Sequence, residues 1–448
     1  MREADRRASE SLPPGTLVNR AGAAVGRAAL RMLGAAYGRR VVVVAGPGNN
    51  GADGRVAALW LSHRGVSVSV FDQAALGAQE ELPPCDLVID AAFGTGFHGA
   101  YVAPLPPPGA PVLSVDIPSG VNGDTGEACQ GAVVADHTIT FAAHKPGLVV
   151  GQGRWHAGEV SVADIGVVVG DSKASLVEDH DVALGLPSRP SDGHKWNTAV
   201  VVVAGSPGMT GAATLVAAGA MRAGAGMVRL GSPGRSELAA SEAVAFALEG
   251  AAWHEAAAGE ARRAKALVVG PGLGRSAEVG SEVAALLDAT SLPAVVDADG
   301  LVALGTAEAV ADLLEQRSGP VVLTPHDGEY GRLAGRAPGT DRMAAARDLA
   351  ARCGATVLLK GSTTVVASPG GEVAIVTSGS SRLATAGTGD VLAGVIGAFL
   401  ARGVPAFHAA ALAAHCHGRA ASLGLEEGLV AGDLPLLVSR WLSDLRGG

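Results

Sequence analysis

Residues 39–54 read RRVVVVAGPGNNGADG. Four consecutive valines cannot present one wet and one dry face, so the run reads as a strand buried on both sides, as in parallel sheets. It passes directly into glycines at 46, 48 and 51, with Asn49, Asn50 and Asp53 among them. A strand that ends in a glycine-rich turn opening a helix starts a βαβ unit, and the chain continues in that manner. SVSVFD ends at Asp72, DLVIDAAFGTGF brings Asp90 and a glycine loop from Gly94 to Gly99, and VLSVDIPSGVNGDTG brings Asp116 and Ser119. ADHTITFAAHKPGL, running to Lys145, and GEVSVADIGV, ending at Asp164, supply a fifth and a sixth strand. The expected class is α/β, with a doubly wound sheet in the N-terminal part.

Gly46, Gly48 and Gly51 satisfy GxGxxG, and Asp72 stands where a ribose-binding acid sits in a Rossmann-like sheet. Taken alone, this suggests a nicotinamide dehydrogenase. The loop nevertheless carries more polar side chains than a pyrophosphate cradle requires. Parallel strands present their carboxyl ends to one crevice, so Asp90, Asp116, Asn49, Asn50 and Asp53 are expected to converge there. Turn chemistry explains one such loop, since Asn, Asp, Ser and Gly dominate turns. Three successive loaded strand ends favour a site.

Between residues 171 and 195 charge, Pro, Ser and Gly replace the strand pattern, which reads as a linker with a boundary near residue 185. From Thr198 a second α/β series begins with TAVVVVAGSPGMTG and continues through AKALVVGPGLG, LPAVVDADGL, GPVVLTPHDGEYGRLAG and ATVLLKGSTTVVA. It culminates in LATAGTGDVLAG, residues 383–394, where Gly387 and Gly389 flank Thr388 and Asp390 opens an apolar run of helical length. Glycines admit close backbone approach, and the free amides of a helix start favour an anion such as phosphate. Asp390 then has two readings: a helix cap, or a base taking a proton from a hydroxyl that attacks phosphorus. His326 at a helix start and Lys360 at a strand end are ordinary in such positions.

A formal net charge of -9 gives no basic footprint and argues against nucleic acid as the main partner. The apolar runs are broken well short of the roughly 18 residues of a spanning helix, so no membrane role is expected. MREADRRASE lacks the apolar core of a signal peptide, which points to the cytoplasm. Cys85, Cys129, Cys353 and Cys416 show no CxxC spacing and suggest neither disulfides nor zinc. His415-Cys416-His417 lies in an alanine-rich helical stretch, where adjacent side chains face different ways, which disfavours a shared metal.

In order, NNGADG, DAAFGTG, SVDIPSG, TFAAHKPGL and VADIGV resemble the amino-terminal domain of the NAD(P)H-hydrate epimerases over roughly residues 1 to 170. AGS, GPGLG, DADGL, LTPHDGE, LLKGSTT and LATAGTGDVLAG resemble the ribokinase-like NAD(P)H-hydrate dehydratases over about residues 190 to 440. The whole chain resembles the fused bifunctional nicotinamide-nucleotide repair enzymes of bacteria. The resemblance implies an epimerase domain at 1–180 with a Rossmann-like sheet and a dehydratase domain at 190–448 with a ribokinase-like α/β fold. It implies that Asn49, Asn50, Gly51, Ala52 and Asp53, with Gly94, Thr95, Gly96, Phe97, His98, Gly99 and Ala100, hold the hydrated dinucleotides NADHX and NADPHX. Asn50, Asp90 and Ser119 would hold K+, and Asp116 would contact the substrate near the reacting carbon, where it is expected to shuttle the proton in the epimerisation. In the second domain Ala213, Gly272, His326 and Asp390 would contact substrate, with Asp390 as base. Lys360, Gly361, Ser362, Thr363, Thr364 and Gly389 would hold ADP or ATP, accompanied by Mg2+. A homo-oligomer is expected. Three departures from the family pattern stand out: Ala52 in place of a second glycine, Trp196 after His194-Lys195, and Ser or Arg at 380–382 where Asn is usual. The alternatives are a ribokinase-like small-alcohol kinase fused to a nucleotide-binding domain, and a first half that only senses or binds.

Overall fold

The computed structural model describes residues 2–77, 80–170, 172–189, 191–233 and 242–447. The chain divides into two compact units, Met1–Ser172 and Lys173–Gly448.

The first unit holds six parallel strands: β1 (Arg40–Ala45), β2 (Ser67–Asp72), β3 (Leu87–Ala91), β4 (Val112–Val115), β5 (His137–Phe141) and β6 (Glu159–Ala163). Their spatial order is β2-β1-β3-β4-β5-β6. The four valines of β1 alternate between two cores, which is why the run is apolar throughout. Val41 and Val43 pack under helices Thr16–Leu33 and Asn49–Ser62, while Val42 and Val44 meet Leu82, Phe97 and Tyr101 on the other face. Strand order reverses between β1 and β3, and a crevice opens outside their carboxyl ends at such a switch point.

The second unit holds β7 (Ala174–Leu176), β8 (Ala199–Val203), β9 (Met227–Gly231), β10 (Val244–Phe246), β11 (Ala266–Val269), β12 (Ala294–Val296), β13 (Val321–Leu323), β14 (Thr356–Leu359), β15 (Thr364–Ala367) and β16 (Val373–Val376). They form one sheet in the order β10-β9-β8-β11-β12-β13-β14-β15-β16-β7. The sheet is parallel from β10 to β14; β15 pairs antiparallel with both β14 and β16. Its switch point lies between β9 and β11, at β8. Helices Thr210–Arg222 and Thr388–Ala401 cross so closely that a Cβ on Gly394 would stand 2.1 Å from the Val216 carbonyl oxygen.

The linker expected over 171–195 is corrected. Lys173 to Gly185 belong to the second unit: β7 pairs parallel with β16, and helix Asp179–Gly185 carries Asp179, which accepts from His415 Nε2 at 2.8 Å. The segment is short and polar because it forms a sheet edge and a surface helix, so it shows no long apolar period. Asp171 and Pro190, within the same stretch, lie outside the described residues. Among the described residues no helix is long and apolar enough to cross a membrane.

Candidate active sites

At the first switch point the loops after β1 and β3 interlock, because a Cβ on Gly46 would meet the Ala92 carbonyl oxygen at 1.8 Å. Side chains larger than hydrogen would prise the two loops apart. They open onto a cavity of about 660 Å³ lined by Asn49, Asn50, Asp53, Gly94, Thr95, Gly96, Phe97 and Asp116. Of the other proposed contacts, Gly51 and Ala52 turn into helix Asn49–Ser62 and do not line it, so the Ala52 methyl leaves its volume untouched. His98, Gly99 and Ala100 lie exposed beyond it.

Asp116 sits at φ 66°, a left-handed conformation that costs a non-glycine residue of order 1–3 kcal/mol and persists only where its surroundings impose it. The restraint is Lys145, whose Nζ lies 2.7 Å from Asp116 Oδ1 and also donates to Thr140 Oγ1 and to the Phe141 carbonyl, both at 2.8 Å. Thr140 Oγ1 in turn donates to Asp116 at 3.0 Å. Lys145 was visible only as the end of a strand motif; nothing local marks it as the partner of Asp116. Asp72, the dehydrogenase-style ribose acid, is instead ion-paired with Arg55, which also donates to the Gly46 carbonyl.

Behind the cavity lies a buried oxygen-rich cluster. Asn50 Nδ2 donates to the Phe93 carbonyl at 2.9 Å, and Ser119 Oγ lies 3.2 Å from the same oxygen. Asp90 accepts from Ser119 Oγ at 2.6 Å, from the Ser119 amide at 2.9 Å and from Ser114 Oγ at 2.9 Å. Burial pushes the Asp90 carboxyl up, and these bonds oppose it. Asn50 Oδ1 is buried with no partner. An orphaned acceptor beside a buried carboxylate fits a monovalent cation with oxygen ligands.

At the second switch point the loops after β8 and β11 are tied by Gly205 N to Pro271 O at 2.7 Å and Ser206 Oγ to Gly272 O at 2.8 Å. Asp299 holds the second loop by accepting from the Gly274 amide and Arg275 Nε. Ala213 is fully buried beneath Gly205, so the expected substrate contact cannot go through its side chain. His326 is exposed and caps helix Asp327–Ala334, its Nδ1 accepting from the amides of Gly328 and Glu329. That assigns the proton to Nε2, which remains open to solvent apart from Glu329 at 3.4 Å.

Gly387 takes φ 90° as the cap of helix Thr388–Ala401, and Asp390 lies in its first turn. Burial first, and the Asp297 carboxylate second, push Asp390 up to about 6, against the pull of the Lys360 ammonium. Lys360 Nζ is 2.8 Å from Asp297 Oδ1 and 3.8 Å from Glu329, and a Cβ on Gly389 would stand 3.7 Å from that Nζ. Lys360, Gly389 and Asp390 are therefore neighbours. Gly361 and Ser362 are exposed on the turn from β14 to β15, which Arg342 secures through the Lys360 carbonyl, whereas Thr363 is buried and Thr364 half-buried. Asp297, Glu329 and Arg342 escaped notice because each meets its partner only through the fold. The other departures are accounted for. Trp196 stacks on Arg263 before β8, at the end of the strand away from the crevice, and Arg382 donates to the final carbonyls of helix Ala406–Ser422. His415 is bonded to Asp179, and no cluster of three His, Cys, Asp or Glu suited to a metal occurs among the described residues.

A family model described as NAD(P)H-hydrate dehydratase matches residues 200–443, and one described as YjeF-related protein N-terminus matches 14–81 and 71–147. The second unit is similar to the Bacillus subtilis ADP/ATP-dependent NAD(P)H-hydrate dehydratase co-crystallized with ATP and Mg2+: 29% identity, TM-score 0.51, 60% of this chain and 97% of that one. It also shares its fold with a ribokinase-like superfamily protein of Enterococcus faecalis, 21% identical with a TM-score of 0.54 over 63% of this chain and 99% of that one. Fold and site thus define an α/β enzyme with a ribokinase-like second unit. The bifunctional NAD(P)H-hydrate repair enzyme of Mycobacterium leprae is 39% identical over 100% of this chain and 97% of its own length. That of Moorella thermoacetica is 36% identical over 97% and 94%. The chain belongs to the bifunctional NAD(P)H-hydrate repair enzymes.

Proposed function

We infer that the first unit interconverts the R and S forms of hydrated NADH and NADPH. The second unit dehydrates the S form with a phosphoryl group from ADP or ATP. Hydroxide is a poor leaving group. Phosphorylation converts the ring hydroxyl to a good one, after which the ring nitrogen's lone pair expels phosphate and the carbon–carbon double bond returns. Asp390 takes the hydroxyl proton, and the amides of Gly387 and Gly389 stabilise charge on the moving phosphoryl group. The observation that carries this reading is Asp390 itself: a carboxyl at about 6, ionised at neutral pH, in the first turn of a helix whose opening amides flank it and beside Lys360. Lys360 to Thr364 and Gly389 are proposed to hold the nucleotide, and Gly272 and His326 the substrate. Mg2+, which needs only one or two carboxylates besides phosphate and water, would be held by Asp297 and would offset the charge of the nucleotide's phosphates, leaving Asp390 free to act as base.

In the first unit Asp116, kept in place by Lys145, is proposed to lie near the reacting carbon and shuttle a proton in the epimerisation, with the loops at 49–53 and 94–100 around the dinucleotide. Asn50, Asp90 and Ser119 are proposed to hold K+. When bound, K+ supplies positive charge behind the cavity. The four cysteines are free thiols, which fits a reducing cytoplasm. The expected homo-oligomer is read out by light scattering.

The test supplies purified chain with both isomers of NADH hydrate, Mg2+, K+ and either ADP or ATP, following NADH by absorbance. Full, nucleotide-dependent recovery is expected. Recovery that stalls near half removes the epimerase assignment, and none at all removes the dehydratase assignment in favour of a small-alcohol kinase.

A further inference from the structure

We propose that Asp53 is a second proton-transfer residue of the first site, acting as general acid opposite Asp116; the proposal rests on the epimerase reading above. Asp53 stands on helix Asn49–Ser62, is 8% exposed and lines the same cavity as Asp116 and Lys145. Among the described residues its carboxyl makes no hydrogen bond or ion pair, in contrast to Asp90 and Asp116. A carboxylate so placed would be costly, because burial without a partner disfavours the charged form.

The charged groups around the cavity sharpen this contrast. Lys145 donates all its protons, to Asp116, Thr140 and the Phe141 carbonyl. Arg55, on Asp53's own helix, is turned to Asp72 and the Gly46 carbonyl. Asp5, from the N-terminal helix Arg2–Ser11, adds a further carboxyl to the lining. Burial first, and the charge of Asp116 second, push Asp53 up to about 8. One cavity thus holds a carboxyl bonded to an ammonium and a second, buried carboxyl with no partner, two environments that suit different roles in proton transfer.

Epimerisation has a use for both. The hydrated ring bears its hydroxyl on a carbon bonded to the ring nitrogen. Asp53 donates its proton to that oxygen as the C–O bond breaks; the nitrogen lone pair forms C=N+, and water departs. Water then adds to the opposite face, forming a new C–O bond and returning the electron pair to nitrogen, while Asp116 accepts the proton lost by the water. The turnover leaves Asp53 ionised and Asp116 protonated, the form primed for the reverse direction.

The experiment uses the full chain, the R isomer of hydrated NADH without nucleotide, and water enriched in oxygen-18, with isomers separated by chromatography and a buffer blank. The wild type is expected to place oxygen-18 in the S product and to slow above about pH 8, where Asp53 loses its proton. Asp53→Asn is expected to lower epimerisation kcat on the order of 10²–10³-fold. It should also abolish the alkaline limb, leave dehydration of the S isomer untouched and change epimerisation KM by less than about threefold, which shows that the first site is folded. An Asp53→Asn kcat within about threefold of wild type overturns the proposal, as does an alkaline limb that survives the substitution. Inversion by the wild type with the original oxygen retained overturns it too, and that readout needs no variant. A wild type no faster than buffer overturns the epimerase reading itself.

Discussion

Asp390 and Asp53 are both raised by burial, yet the two shifts have opposite consequences for the chemistry. At about 6, Asp390 is ionised at neutral pH and works as a base, so dehydration of the S isomer should fall as pH drops through 6 and the carboxylate takes up a proton. Asp390→Asn should lower kcat for that step roughly 10²–10⁴-fold while sparing substrate binding. Steady-state rates across pH 5 to 8 check both, and near-normal turnover would remove Asp390 as base. Asp53 lies above its unfolded value of 3.8, so between pH 4 and pH 8 the folded chain binds more protons than the unfolded one. Stability contributed by the neutral acid is therefore present at low pH and lost as pH rises through about 8. Asp53→Asn should raise the thermal midpoint at pH 8 and converge with wild type below pH 4; calorimetry at the two pH values reads this.

At the level of elements, the second site depends on how closely two helices approach. Helices Thr210–Arg222 and Thr388–Ala401 meet through glycine, and their N-termini reach the same switch point because nothing bulkier separates them. Gly394→Ala sets a methyl against the Val216 carbonyl, a backbone atom that no rotamer change can move aside. Overpacking of this kind costs typically 1–3 kcal/mol and displaces backbone. The expected result is a lower urea midpoint for the second unit and depressed dehydration, with epimerisation retained. Equal loss of both activities would show that the effect is not local to this helix pair.

For the molecule as a whole, the boundary between the units decides which fragments can stand alone. A chain cut after Ser172 keeps β7 on β16 and the Asp179 pair with His415 and Arg419 inside the second unit. A chain beginning at Pro187 loses both, exposing the edge of β16 and leaving the buried His415 Nε2 without its acceptor. The fragment 173–448 should dehydrate the S isomer, and the shorter fragment should melt at a lower temperature; comparable melting of the two would mean that the β7 edge contributes little.

The strands, the glycine turns and the polar side chains at strand ends were legible in the sequence, because each is set by local rules: β-branched runs, loss of Cβ at turns, and capping chemistry. Valines 41–44 and the Gly387–Asp390 turn are where they were expected. The particular pairs were not legible. Lys145 reaches Asp116, Lys360 reaches Asp297, and β7 reaches β16 only after the sheets have ordered. Nor did the stretch NNGADG distinguish a paired aspartate from an isolated one. That Asp53 is buried without a partner while Asp116 meets Lys145 was decided by tertiary structure alone, since burial and the position of one ammonium are properties of the folded cavity and not of any segment.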